Sequence, residues 1–339
     1  MSESIVNSTV RKNKRGKKMK KIIAAGMALI MTFVMITGCG AKNDTVSKTV
    51  NLAVLNGPTG MATVKLLDME EKYNVTTYQA PTDVVAKVIS GEADVAAVPS
   101  NLASVLYNKT GGEIVAVSPI ALGMLQIVGN NVNLDDVTEL KGKTIVASGR
   151  GGTPEYVLEK ILADNGLTLY EDVQVEWLSN HSEVNSKLLS EEGTLAMIPE
   201  PFVSTAIMSG NGKVEDLFDI NELWEESTGT ELPMGVLIAQ REFAEERAED
   251  LKVLLNDLKE SVDFVNESPE EAAKTIVEKG FIGNEDIAIA AIPSCHIVLY
   301  AGKHAETGTD MLKTFNKILY EMEPESIGGK LPDEDLYYQ

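Results

Sequence analysis

"AAVPSNLASVL" at residues 96–106 and "AMIPEPFVSTAI" at 196–207 share one design: a small apolar strand ending in proline, two further residues, and a helix bearing small residues. Working outward, the units before each copy also match. "TVNLAVL" (49–55) leads into a helix with Thr59 as N-cap and Met61, Val64 and Leu67 on one face. "NVTTYQA" (74–80) leads into "PTDVVAKVISGE", where Thr82 can cap and Val84, Val85, Val88 and Ile89 form the apolar stripe. "EIVAVSP" (113–119) closes the first set. In the second, "KTIVASGRGGTPEYVLEKILADNGL" (143–167) is strand, Gly-rich loop and helix, with Thr153 as N-cap, Pro154 at the first helical position and Gly166 at the end. "VQVEWLSNHSEVNSKLLSEEG" (173–193) repeats the second unit. This order predicts two similar α/β domains, each built on a parallel sheet.

Two extended apolar segments, "LGMLQIVGN" (122–130) and "LPMGVLIAQ" (232–240), are too long for turns and read as strands carrying the chain to the second domain and back. The chain then turns helical, with Leu251, Leu254, Leu255, Leu258, Val262 and Val265 at core spacing. The expected division is 48–124 with 238–339 as domain I and 125–237 as domain II. Two crossovers make a hinge, and a hinged cleft closes on something.

The N-terminus reads differently. Lys and Arg crowd residues 11–21, an uncharged run extends from Ile22 to Thr37, and Gly38-Cys39-Gly40 follows. This is the pattern of a secretory signal peptide over 1–38, starting at Met1 or at Met19. Its apolar run falls short of the roughly 20 residues a spanning helix needs. Ile36-Thr37-Gly38-Cys39 resembles the bacterial lipobox, which implies a lipid on Cys39, a linker over 39–47, and a place on the outer face of the cytoplasmic membrane.

The whole chain carries a net charge of −21, and the part after residue 38 carries 22 basic and 50 acidic residues, a net −28. Nucleic acid is therefore excluded as a partner. The other cysteine is Cys295, so the exported chain has no internal disulfide and rests on its core; a monomer is expected.

Ligands of open α/β sheets lie beyond the carboxyl ends of the strands, where helices begin. That rule nominates Asn56, Pro58, Thr59 and Gly60, then Thr82, then Ser100 and Asn101 in the first domain. In the second it nominates Arg150, Gly152 and Thr153, then His181, then Glu200 and Pro201. Helix N-termini there offer N–H donors and positive dipole ends to a small-molecule ligand. Asn56-Gly57-Pro58-Thr59-Gly60 completes neither a Walker loop nor a dinucleotide fingerprint. Arg150 either pairs with an anionic ligand or forms a surface ion pair. His181 reads as a solvated loop histidine with a ligand-facing alternative. Trp177 and Tyr78 stack on a ring or join the core, and Glu200 meets an ammonium group or complements a helix dipole.

No catalytic or metal-binding constellation emerges. The histidines are His181, His296 and His304, with no H-E-x-x-H and no paired-cysteine spacing. Cys295 and His296, if on a strand, point to opposite faces. No cofactor is implied.

The stretches "SGEADVAAVPSNLASVL", "LKGKTIVASGRGGTPEYVLEKILADNGL", "AMIPEPF" and "QREFAEERAEDLKVLL" resemble the periplasmic-binding-protein superfamily of ABC importers, in its nitrate/sulfonate/taurine and thiamine-precursor group. The ending "SIGGKLPDEDLYYQ" looks like that of clostridial lipoproteins of this group. The resemblance implies a type II periplasmic-binding-protein fold, a lipid-anchored receptor that is not an enzyme, and delivery to a permease driven by an ATPase. It implies a small organic anion as ligand, with an aminopyrimidine as the alternative. Fungal pyrimidine synthases look to share the fold, but with a cysteine-rich motif that this chain lacks.

Overall fold

The computed structural model describes residues 45–338. The expected signal peptide and Cys39 lie outside them. One compact unit begins at Thr45 and contains all the apolar cores described below.

The first half runs β1 (Val50–Leu55), α1 (Pro58–Met61), β2 (Tyr73–Tyr78), α2 (Pro81–Ile89), β3 (Val95–Pro99), α3 (Ser100–Thr110) and β4 (Ile114–Leu122). The chain crosses at Gly123 and Met124 into β5 (Leu125–Asn130). There follow β6 (Thr144–Ser148), α4 (Thr153–Asp164), β7 (Gln174–Leu178), α5 (His181–Ser190), β8 (Leu195–Pro199), α6 (Phe202–Ser209), β9 (Val214–Asp219) and α7 (Ile220–Thr228). It returns through β10 (Pro233–Gln240) and finishes in helices: α8 (Arg241–Glu246), α9 (Ala248–Glu267), α10 (Pro269–Glu278), α11 (Glu285–Ala291) and α12 (Ala305–Met322).

Two five-stranded sheets result, ordered β2-β1-β3-β10-β4 and β7-β6-β8-β5-β9. Within each, the first three strands are parallel, as the repeated strand–helix units require. The expectation of purely parallel sheets is corrected at one strand in each. β10 is antiparallel to both β3 and β4, and β5 is antiparallel to both β8 and β9. Each crossover segment enters the other sheet at the carboxyl ends of its parallel strands, beside Pro99 or Pro199, and so runs against its neighbours. β10 pairs in the first sheet from Pro233 onward, so the expected boundary at 237–238 falls inside a strand.

β4 and β5 are buried at every residue, which explains their unbroken apolar sequence. α9 buries Leu251, Leu254, Leu258, Val262 and Val265, the spacing read from the sequence. Each such aliphatic side chain contributes about 1.5–3 kcal/mol on leaving water. Ile89, expected in the buried stripe of α2, is 62% exposed; that helix ends there, and Val84 and Val88 supply its packing.

The crossover is tightly packed. A side chain on Gly123 would collide with Asn221, whose Oδ1 accepts from the Leu232 N–H at 2.9 Å. The His296 ring bonds the Gly123 carbonyl through Nδ1 at 2.9 Å. Outgoing and returning segments are thus held to each other and to the C-terminal part of the chain. Among the described residues, no helix is long and apolar enough to cross a membrane.

Candidate functional site

The first nominated loop turns at Gly57, whose φ of 116° favours glycine. Pro58, at the first helical position, starts α1 one residue before the expected cap. Thr59 therefore does not cap: it is buried, and its Oγ1 donates back to the Leu55 carbonyl at 3.2 Å. With four residues, α1 has too few aligned peptides for a strong dipole. Asn56, half-buried, donates its N–H to the Tyr78 carbonyl at 2.8 Å, while Pro58 and Gly60 are buried. The same shift occurs at α2, where Ala80 is the N-cap, Pro81 begins the helix, and Thr82 is exposed without capping.

The third and fourth loops meet. Thr153 Oγ1 donates to Asn101 Oδ1 at 3.1 Å, and both residues are buried. Gly152 occupies the cap position expected of Thr153, because Pro154 fits just inside the helix start and releases the threonine hydroxyl to reach the other half. Asn101 also donates from Nδ2 to the Ser326 carbonyl at 3.1 Å. Beside it, the buried Ser100 Oγ has no hydrogen-bond partner. The starts of α3 and α4, helices of 11 and 12 residues, are thereby brought together. Arg150 is exposed on the loop between, which is braced by a 2.6 Å bond from the Gly151 N–H to Glu155 Oε2.

His181 is not a solvated loop residue. It opens α5, which Asn180 caps by accepting from the Glu183 N–H at 2.9 Å. Its Nδ1 lies 2.7 Å from Ser148 Oγ and its ring centroid 5.5 Å from that of Phe202. Desolvation pushes the imidazole down to about 4, so the ring is neutral at physiological pH.

Glu200 is buried beside the crossover, its N–H donating to the Met124 carbonyl at 2.9 Å. The bond from Glu200 to Pro201 is cis, and Pro201 is the cap residue of α6. The Glu200 carboxylate accepts from the N–H of Ser204 at 3.1 Å and from its hydroxyl at 2.9 Å. Burial outweighs those two bonds and raises the acid to about 7, with Asp216 adding repulsion. Tyr78 and Trp177 pack against apolar cores, and the Trp177 indole donates to Tyr170 Oη at 2.9 Å.

The structure thus joins Asn101 to Thr153 across the two sheets and places His181 against Ser148, whereas Thr59 and Thr82 take local or exposed roles. Ser148 and Ser326 escaped sequence reasoning as individual residues. Ser148 had a signal in its place at a strand end. Ser326, 225 residues from Asn101, had none.

Residues 61–305 match the model of the VitK2_biosynth family, described as menaquinone biosynthesis. No curated protein matches the chain. Among solved structures, an ABC transporter from Parabacteroides distasonis superposes with TM-score 0.72 at 21% identity, over 86% of this chain and 99% of that one. The periplasmic aliphatic sulphonate binding protein SsuA from Escherichia coli gives 0.66 at 16%, over 86% and 92%. A Candida albicans gene product with the generic periplasmic binding protein fold gives 0.53 at 15%, over 85% and 92%. Identities this low speak to the fold, and the fold is that of periplasmic binding proteins.

Proposed function

The chain belongs to the VitK2_biosynth family, and we propose that it is the extracytoplasmic solute-binding lipoprotein of an ABC importer, capturing a small organic anion between two domains. The observation that carries this reading is the buried Thr153–Asn101 bond. It brings together the starts of two helices on different sheets, whose positive dipole ends suit an anion without a formal counter-charge. Ser100, Gly152 and exposed Arg150 flank the same place. The sulfonate, taurine or nitrate class leads, in keeping with the ligand named for the Escherichia coli neighbour.

In this reading the domains are built on the two sheets and hinge at Gly123 and Leu232. Cys39 carries the lipid, and the partners are a permease and its ATPase, with the protein acting as a monomer. It is not an enzyme. The Ser148–His181 pair speaks against catalysis there, because an imidazole held near 4 is a poor base at neutral pH.

One observation favours a second ligand class. Glu200 and neutral His181 offer acceptors rather than positive charge, which suits the N–H groups of an aminopyrimidine.

Thermal unfolding in the presence of alkanesulfonates, taurine, nitrate and aminopyrimidines tests the assignment. A bound ligand at a hundredfold excess over Kd adds about 2.7 kcal/mol. Stabilisation by a sulfonate is expected. A response to aminopyrimidines alone would transfer the assignment to the second class, and silence across the panel would remove both.

A further inference from the structure

α12 is rooted in both halves of the molecule. Its Leu312 packs in a core with Val98, Leu106 and Val236 of the first sheet and its helices. One and two turns on, Phe315 and Leu319 join Leu125, Ile127 and Trp224 in the core beneath the second sheet, with the Phe315 ring 5.9 Å from Trp224. Ile327, past the end of the helix, is fully buried in that same second core.

The segment is also sewn to α3. Asn101, Ser104 and Asn108 lie on one face of that helix. Ser104 Oγ donates to Asn316 Oδ1 at 2.8 Å, and Asn108 Nδ2 donates to the carbonyls of Ile327 and Lys330 at 2.8 and 2.7 Å. Asn101 completes the row with its bond to the Ser326 carbonyl. A backbone carbonyl can only accept, so it fixes which end of the Asn101 amide faces it. The amide nitrogen points to Ser326, and the amide oxygen is left to take the Thr153 hydroxyl from the other half.

The geometry points to residues 312–327 as a closure strap, which sets the ligand-free equilibrium of the cleft by holding the Asn101 oxygen toward Thr153. Asn101 is then a positioning residue, and the strap acts on closure through it. This rests on the reading of two hinged domains but not on any ligand. The bond is buried at both ends, so its loss is felt more than that of a surface contact. The core contacts of Phe315, Leu319 and Ile327 must likewise shift if the halves separate.

The test is the distance distribution between spin labels at Ala86→Cys on α2 and Ser182→Cys on α5, both exposed positions. It uses the compact unit starting at Thr45 with no ligand added; Cys295 is buried and stays unlabelled. Thr153→Val, which keeps shape and removes the donor, should lower the closed-to-open ratio roughly fivefold. Thr153→Ser should restore it. Ile327→Ala, in the strap and away from the Thr153 hydroxyl, should lower the ratio comparably, and the double variant should fall short of the product of the two effects. Ile327→Val is read in parallel and carries the strap arm if the alanine variant unfolds. An unchanged distribution in Thr153→Val overturns the latch. Broadening in Thr153→Val with none in either Ile327 variant overturns the strap. Silence across the ligand panel would leave all of these distances untouched, so the two proposals fail separately.

Discussion

Nδ1 of His181 and Oγ of Ser148 stand 2.7 Å apart at the tips of two neighbouring units of the second sheet. The serine ends β6 and the histidine begins α5, so the bond ties the end of one strand to the helix of the neighbouring unit. It also fixes the ring in a place where protonation is costly.

That cost has a sign. A histidine pushed from 6.5 down to about 4 contributes stability that is fully present above 6.5 and is lost as pH falls toward 4. The full loss is roughly 3 kcal/mol. Urea unfolding of the unit starting at Thr45 should show this acid limb, and His181→Asn should flatten it. An equally steep limb in the variant would assign the effect elsewhere.

Glu200 works in the opposite direction. Its acid is raised from 4.5 to about 7, so the folded state holds the proton more tightly than the unfolded state. Stability is fully present below 4.5 and declines as pH rises toward 7, by roughly 3 kcal/mol. Glu200→Gln keeps the Oε1 acceptor for Ser204, and it should gain on the native chain at pH 8 while matching it at pH 4.5. The comparison of unfolding midpoints at the two values decides it.

Gly123→Ala should be costly although the Gly123 backbone lies outside the left-handed region that favours glycine. The new methyl would meet Asn221, which must then release the Leu232 N–H or push the returning segment aside. Overpacking of this kind costs about 1–3 kcal/mol. A denaturant midpoint equal to that of the native chain would show that Asn221 can swing away freely.

Cys39→Ser should leave an unlipidated precursor in a bacterial host. Metabolic labelling with a radioactive fatty acid reads this directly. Label retained in the serine variant would mean that the lipid, if any, lies on another residue.

The strand–helix units were legible because each carries its own local signal. Pro99 and Pro199 end strands, and alternation and helical spacing mark what lies on either side. At Thr59, Thr82 and Thr153 a threonine next to a proline reads as a helix cap, and in each case the helix begins earlier. Proline already supplies the φ of a first turn, so no side-chain cap is needed. The antiparallel places of β5 and β10 were not legible, because an apolar run does not state its neighbours. The same holds for Asn101: its partners Thr153 and Ser326 come from remote parts of the chain, and neither leaves a mark at residue 101.

The interleaving of β10 between β3 and β4 gives the two sheets different histories as the chain emerges from its N-terminus onward. All five strands of the second sheet lie between Leu125 and Asp219, so that sheet can assemble from one uninterrupted length. β4 finds a permanent neighbour only after residue 240 has emerged. The half that comes first in the sequence is thus the later one to mature, and in refolding, amides of β5 and β8 should become protected from exchange before those of β4.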